Sequence, residues 1–348
     1  MSEKLRWAVV GSGGIALRRT IPEGIIPAAN AALIAVYDVN QELNRQVAER
    51  FGARAAESME EVLEAGVDAV YIATPVKFHR EQTIAAARAG KHVLCEKPLG
   101  LNVAEAEEMV EACRRAGVQL GVGLMMRFHS QHQAALAMIR EGRLGKLVFG
   151  RAQLSCWYPP MAGAWRQDPA QGGGGSLMDM GGHTIDLLEM FFGPATQVAC
   201  FTGNLVHGYA SEDSAAALLR FESGALASVD AFFSIPDAAS KNVLELYGTR
   251  GSILARGTIG QGERGQMTAY LEESGAGYEA EQRDRTLEGG LAIEPEPVSM
   301  YRAEIEAFSA AVLEGRPVPV DGELGLRSQK VLAACYESAR TGKIVEIV

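Results

Sequence analysis

Several classes of protein are excluded by what this sequence lacks. Its five cysteines (Cys95, Cys113, Cys156, Cys200 and Cys335) are scattered, odd in number, and form no C-x-x-C pair. A disulfide framework or a zinc ribbon is therefore not expected, and a reducing, cytoplasmic location fits best. No block of five Lys or Arg occurs, and 43 acidic against 33 basic residues leave a net charge of -10. Neutralising phosphates needs clustered cations, so no nucleic-acid partner is expected. No uncharged apolar run reaches the roughly 18 residues of a membrane span, and no membrane partner is expected. The opening Met1-Ser-Glu-Lys-Leu-Arg6 carries no apolar leader, so no signal peptide is expected either. What is present is a chain of 348 residues, 47% apolar and 22% charged. At about 150 residues per domain this suggests two domains with ample material for a core.

The hydrophobic rhythm divides the chain. In residues 1–123 short β-branched runs (Leu5–Val10, Ala32–Tyr37, Ala69–Ile72, His92–Cys95 and Gln119–Val122) alternate with helical patterns. Ser58-Met-Glu-Glu61 and Asn102-Val-Ala-Glu105 read as capping boxes that open two of those helices. Apolar strands separated by helices predict a parallel sheet covered on both faces. Residues 124–348 read differently. A helix over His129–Glu141, a turn at Gly142–Gly145 and a strand over Val148–Tyr158 precede the four-glycine loop Gly172–Gly175. A helix follows over Ser176–Phe192, and strands then run from Gln197 to Leu254 without intervening helices. Phe221-Glu-Ser-Gly224 is a hairpin signal within that run. Residues 256–297, rich in Gly and Glu, give little pattern, and helices over Ser299–Glu314 and Glu323–Thr341 close the chain. The expectation is an α/β protein: a dinucleotide-binding domain over 1–123 and an α+β domain over 124–348.

Gly11-Ser12-Gly13-Gly14-Ile15-Ala16 is a G-x-G-x-x-A fingerprint between a strand and a helix. Gly11 permits the tight turn and Gly13 lets backbone amides approach a pyrophosphate at a helix N-terminus. Asp38 ends the next strand about 20 residues further on, where a carboxylate accepts from ribose hydroxyls and repels a 2′-phosphate. NAD is therefore favoured as cofactor, with NADP left open. As an alternative reading, Asp38 caps the following helix.

Two further segments carry chemistry. Ala73-Thr74-Pro75 with His79, and Glu96-Lys97-Pro98, lie at the carboxyl ends of parallel strands, where open α/β sheets bind ligands. Lys97 there can hydrogen-bond a hydroxyl and stabilise a developing alkoxide, although a lysine taken alone is more often a surface residue. In Ser176-Leu-Met-Asp179-Met-Gly181-Gly182-His183 a helix would set Asp179 and His183 on one face. His183 suits proton transfer from a hydroxyl, and Asp179 could orient it or bind a second hydroxyl. The two glycines cost roughly 1 kcal/mol each against alanine and suggest a close approach of ligand or backbone. Asp186 reads as a solvated helix residue. His129 and His132 are three apart on a helix, but no carboxylate or cysteine completes a metal set, so no metal is expected. His129 is instead placed beside the substrate cleft.

These segments, with Arg127-Phe128 and Trp165-Arg166, resemble the Gfo/Idh/MocA oxidoreductases across nearly the whole chain. The resemblance implies an N-terminal NAD(P)-binding Rossmann domain and a C-terminal domain with an open, mainly antiparallel sheet. It implies an NAD(P)-dependent dehydrogenase or reductase acting on CH–OH groups of a sugar, cyclitol or related polyol. The catalytic lysine of the family maps onto Lys97, its acid/base histidine onto His183 and the accompanying aspartate onto Asp179. Cofactor contacts are implied for Gly11, Ser12, Gly13, Gly14, Ile15, Asp38, Thr74, Pro75, His79, Glu96 and Lys97. Substrate contacts are implied for Arg127, His129, Tyr158, Trp165, Arg166, Asp179 and His183. Trp157-Tyr-Pro-Pro160 with Ala164-Trp-Arg166 is similar to the matching stretch of 1,5-anhydrofructose reductases; Trp157 reads equally as core. Those reductases use NADP and lack an acidic residue at the place of Asp38. A homodimer or homotetramer through the outer face of the second sheet is implied as well. Two other functions stand beside this one: a redox-neutral, NAD-dependent glycoside hydrolase or lyase, and a non-catalytic NAD sensor.

Overall fold

A computed structural model describes residues 3–272 and 289–348 of the chain. Strands β1 (Leu5–Val10), β2 (Ala31–Tyr37), β3 (Arg54–Ala55), β4 (Ala69–Ile72), β5 (His92–Glu96) and β6 (Leu120–Gly123) form a parallel sheet in the order β3-β2-β1-β4-β5-β6. Every residue of β4 and β6 is buried, because helices cover both faces. The two-residue β3 was not expected, being too short to carry a pattern. Strand order reverses between β1 and β4, which opens a crevice at their carboxyl ends.

The two expected caps form. Ser58 accepts from the Glu61 amide at 3.3 Å and Asn102 from the Glu105 amide at 3.0 Å. The reciprocal bonds reach one residue further out than a capping box would, from the amides of Glu57 and Leu101 to the carboxylates of Glu61 and Glu105.

A second sheet comprises β7 (Leu147–Ser155), β8 (Ala195–Gly203), β9 (Ser214–Phe221), β10 (Leu226–Phe232), β11 (Val243–Gly248), β12 (Gly251–Arg256), β13 (Gln266–Leu271), β14 (Leu291–Ala292) and β15 (Val345–Glu346). Its order is β14-β13-β12-β11-β7-β10-β9-β8-β15, antiparallel throughout except where β7 runs parallel to β10. The weakly patterned 256–297 thus supplies β13 and β14, while its residues 273–288 lie outside the described ones. Along β9 burial alternates, so one face is core and the other open. The core face takes the helix Gly182–Phe192. A Cβ on Gly150 would meet Phe192 at 2.7 Å, so that glycine lets the helix lie close on β7.

The closing helices, Met300–Leu313 and Gly322–Thr341, return to the first sheet. Ile305 and Phe308 enter the core beneath β1. The Phe308 ring lies 5.1 Å from that of Trp7, whose indole donates to Ser309 Oγ at 3.0 Å. The Val122 amide donates to the Val320 carbonyl at 3.1 Å. The crevice of the first sheet is thereby held facing β7 and the helix that carries His183.

Candidate functional site

The glycine turn is built as its residue types require. Gly11 has φ +81°, and a Cβ there would lie 2.8 Å from the backbone of Ala73. The turn therefore closes tightly against the end of β4. Its amide and that of Ser12 donate to the Tyr37 carbonyl. Asp38 sits beside it: one carboxylate oxygen accepts from the Gly13 amide at 3.0 Å and the other from the Asn40 amide at 2.9 Å. The next helix, Ala16–Ile25, is wound as a π-helix with Pro22 inside it, and its start carries no side-chain cap. A helix start without a side-chain cap, a turn without Cβ obstruction and a carboxylate at the end of β2 fit an adenine dinucleotide. Ser12 faces inward and bonds Asn44, so of the fingerprint it is Gly14 and Ile15 that line the cleft.

The cleft has a volume of about 690 Å³. Thr74, His79, Glu96 and Lys97 line it from the ends of β4 and β5, and Trp165, Arg166, Asp179 and His183 from the segment after β7. Pro75 opens the turn Val76–Phe78 behind Thr74. His79 is buried, its ring nitrogens 2.9 Å from the Pro98 carbonyl and 2.8 Å from that of Thr74. It thus ties the loop after β4 to the loop after β5. Glu96 accepts from Tyr71 Oη at 2.5 Å, and burial pushes its carboxyl up from the usual range.

Lys97 is the centre of the charge arrangement. Its Nζ donates to Asp179 Oδ1 at 2.7 Å and to the Asp179 carbonyl at 2.8 Å. Arg166 Nε stands 3.0 Å from Asp179 Oδ2, and the guanidinium lies 4.1 Å over the Trp165 ring. Burial opposes ionisation of Asp179, but Arg166 and Lys97 together hold its carboxyl well below the usual range. Asp179 therefore pairs with two cations rather than orienting His183. His183 is 7% exposed, its buried Nδ1 has no hydrogen-bond partner among the described residues, and it lines the cleft. Burial first, and then the Lys97 charge, hold it well below its ordinary value, so it is a neutral imidazole at pH 7.

The helix that presents Asp179 and His183 is not regular. Leu177–Gly181 is a π-helical turn, and the α-helix begins at Gly182. A Cβ on Gly181 would meet Leu177 of the preceding turn at 2.8 Å, so the close approach is to the helix itself. A Cβ on Gly175 would overlap the Glu212 backbone. The Glu212 carboxylate accepts from the amides of Gly175 and Leu177 at 3.0 Å and from Tyr336 Oη at 2.9 Å. Glu212 thus fastens the start of the helix, a role that nothing in the local sequence signals.

Expectations for Asp186, Arg127, His129 and Tyr158 are corrected, and the open reading of Trp157 is decided. Asp186 is not solvated: it is 3% exposed and accepts twice from Arg127 Nε at 2.9 Å, as a buried carboxylate needs a cation. Arg127, so engaged, faces a separate hollow rather than the cleft. His129 is fully buried and caps its helix, its Nδ1 accepting from the Gln131 amide at 3.2 Å; burial pushes it down to about 4. Tyr158 does not itself line the cleft: its ring lies 4.9 Å from Phe233, and its hydroxyl reaches Arg166, which does. Trp157 is 43% exposed and is not core. Arg18, Tyr301, Gln261 and Asn242 line the cleft without having been singled out, because they come from distant segments.

Known proteins resemble the chain end to end. Residues 5–124 match the family described as "Oxidoreductase family, NAD-binding Rossmann fold", and residues 132–254 match "GFO/IDH/MocA C-terminal domain". A 1,5-anhydro-D-fructose reductase of Ensifer adhaerens is 33% identical over 98% of both chains. A D-xylose 1-dehydrogenase (NADP(+)) of Haloferax volcanii is 30% identical over 99% of this chain and 100% of that one. The crystal structure of an aldose-aldose oxidoreductase from Caulobacter crescentus, complexed with glycerol, superposes with a TM-score of 0.88 at 28% identity, covering 99% and 100% of the two chains.

Proposed function

The chain belongs to the Gfo/Idh/MocA family of NAD(P)-dependent oxidoreductases acting on CH–OH groups of sugars and polyols, and from that premise we propose how its own residues divide the work. A nicotinamide cofactor held by the glycine turn and the ends of β4 and β5 would supply or accept the hydride. Lys97 Nζ donates to the oxygen of the reacting carbon and offsets the negative charge that develops there. His183, neutral at pH 7, takes the hydroxyl proton in oxidation and returns it in reduction. Asp179 holds the Lys97 ammonium and the Arg166 guanidinium in place by charge, and Arg166 and Trp165 present a donor and an aromatic face to a hydroxylated ring. Asp38, Thr74, Pro75, His79 and Glu96 shape the cofactor side, and Asp38 disfavours NADP.

The reading is carried by one observation: Lys97 and His183 line the same cleft as the Gly14–Ile15 end of the glycine turn. It divides the chain at 123/124 into a cofactor domain and a substrate domain, with the last two helices returning to the first. It also holds that the protein is cytoplasmic and that two or four copies associate through the outer face of the second sheet. That face exposes Phe201 (77%), Leu218 (62%) and Leu226 (47%).

Absorbance at 340 nm with NAD or NADP and a panel of sugars and cyclitols tests the activity, and Lys97→Met tests the assignment. Removal of a transition-state donor is expected to lower kcat at least about 100-fold, with NAD affinity unchanged. Near-wild-type turnover would sink the role of Lys97.

A further inference from the structure

The cleft wall built by the second sheet carries a donor for which the reading above has no use. Among the described residues Asn242 alone, glycines apart, has a backbone in the left-handed region, at φ +46°. The orientation of its amide follows from its neighbours. The Ser155 amide, 3.3 Å away, can only donate, so the atom facing it is Oδ1, which also accepts from Ser240 Oγ at 2.8 Å. The Gly257 amide donates to the Asn242 carbonyl at 3.0 Å. Asparagine at such a position commonly serves only to hold a turn. Here Oδ1 does that, and Nδ2 meets no acceptor among the described residues. Asn242, Ser240, Gly260 and Gln261 all line the cleft, and a Cβ on Gly260 would lie 3.9 Å from Nδ2. Asp237 lines it too, with one carboxylate oxygen accepting from the Trp157 amide at 2.9 Å.

We propose that Asn242 is a specificity-determining residue, donating through Nδ2 to one ring hydroxyl while the Asp237 carboxylate accepts from its neighbour. The wall then recognises a vicinal diol, one oxygen as acceptor and the other as donor, at ring positions other than the reacting carbon. A polyol lacking either hydroxyl leaves one of these groups without its partner. The inference rests on the reading of the cleft as a polyol site, and it names the substrate class as cyclic polyols with an adjacent hydroxyl pair.

The test is binding rather than turnover. D-Glucose, D-xylose, myo-inositol and the monodeoxy analogues of D-glucose are titrated by calorimetry into NAD-loaded protein, in the wild-type and the Lys97→Met backgrounds. Asn242→Gly keeps the positive φ and removes the amide. It is expected to weaken the best-bound polyol about tenfold and to abolish discrimination against one monodeoxy analogue, with NAD affinity as in wild type. Asn242→Asp keeps the Oδ1 acceptor and the turn but loses the donor, and is expected to weaken binding as well. Wild-type affinity in either variant overturns the inference, since the residue would then act in the turn alone. Full turnover by Lys97→Met would instead overturn the catalytic assignment and leave the Asn242 result standing. Failure of the wild type to bind any of the polyols overturns both.

Discussion

At the scale of the residue, neighbours decided what each charged group does. Asp179 was legible as a polar partner four residues before His183, but its carboxylate is spent on Lys97 and Arg166. Lys97 is 12% exposed, and a cation so little hydrated needs an anion at contact distance. Asp186 makes the same point in reverse, since its burial against Arg127 depends on a contact across 59 positions. Asp38 is the residue whose role the local sequence argued most directly, from its place at the end of β2. Its carboxylate is held at the end of β2 by the Gly13 and Asn40 amides. Asp38→Ser is expected to raise NADP affinity about tenfold or more and to lower that for NAD. Fluorescence titration with both reduced cofactors measures it, and an unchanged ratio would remove Asp38 from cofactor choice.

At the scale of the element, strands and caps were legible because their signals are local. Apolar runs located five of the six strands of the first sheet, and Ser58 and Asn102 cap as expected. The π-helical turn at Leu177–Gly181 was not legible, because an extra residue in one turn changes no propensity. Its start is held from outside by Glu212, on the connection between β8 and β9. Glu212→Ala leaves the amides of Gly175 and Leu177 and the Tyr336 hydroxyl without that acceptor. A loss of about 2–4 kcal/mol in urea unfolding is expected, together with a fall in kcat larger than any change in NAD affinity. Wild-type kcat in the folded variant would show that the Glu212 clasp does not position His183.

At the scale of the whole molecule, two features matter. The helix Met300–Leu313 crosses back beneath β1, so residues far along the chain help to hold the sheet that its first strands form. The open face of the second sheet carries Phe201, Leu218 and Leu226 in exposed positions. Phe149 and Tyr247 extend it, with ring centroids 6.2 Å apart. An apolar face of this kind is expected to be covered by a second copy. Leu218→Arg is expected to shift the protein toward monomer in sedimentation velocity, and a wild-type protein that sediments as a monomer at micromolar concentration would dispose of the interface.

The sequence by itself determined the parallel sheet, the glycine turn with its acidic partner, and the residue types of the candidate Lys97 and His183. Each of these rests on periodicity or on spacing within one segment, which the chain carries wherever it folds. Only the tertiary structure decided which of the candidates share a cleft. Lys97 meets Asp179 across 82 positions, and Asn242 meets Ser155 across 87. Arg127 and His129 are turned away from the cleft by burial that no local pattern names. Contacts at such separations are set by how sheets and returning helices pack, and burial then assigns each polar group the one partner that satisfies it.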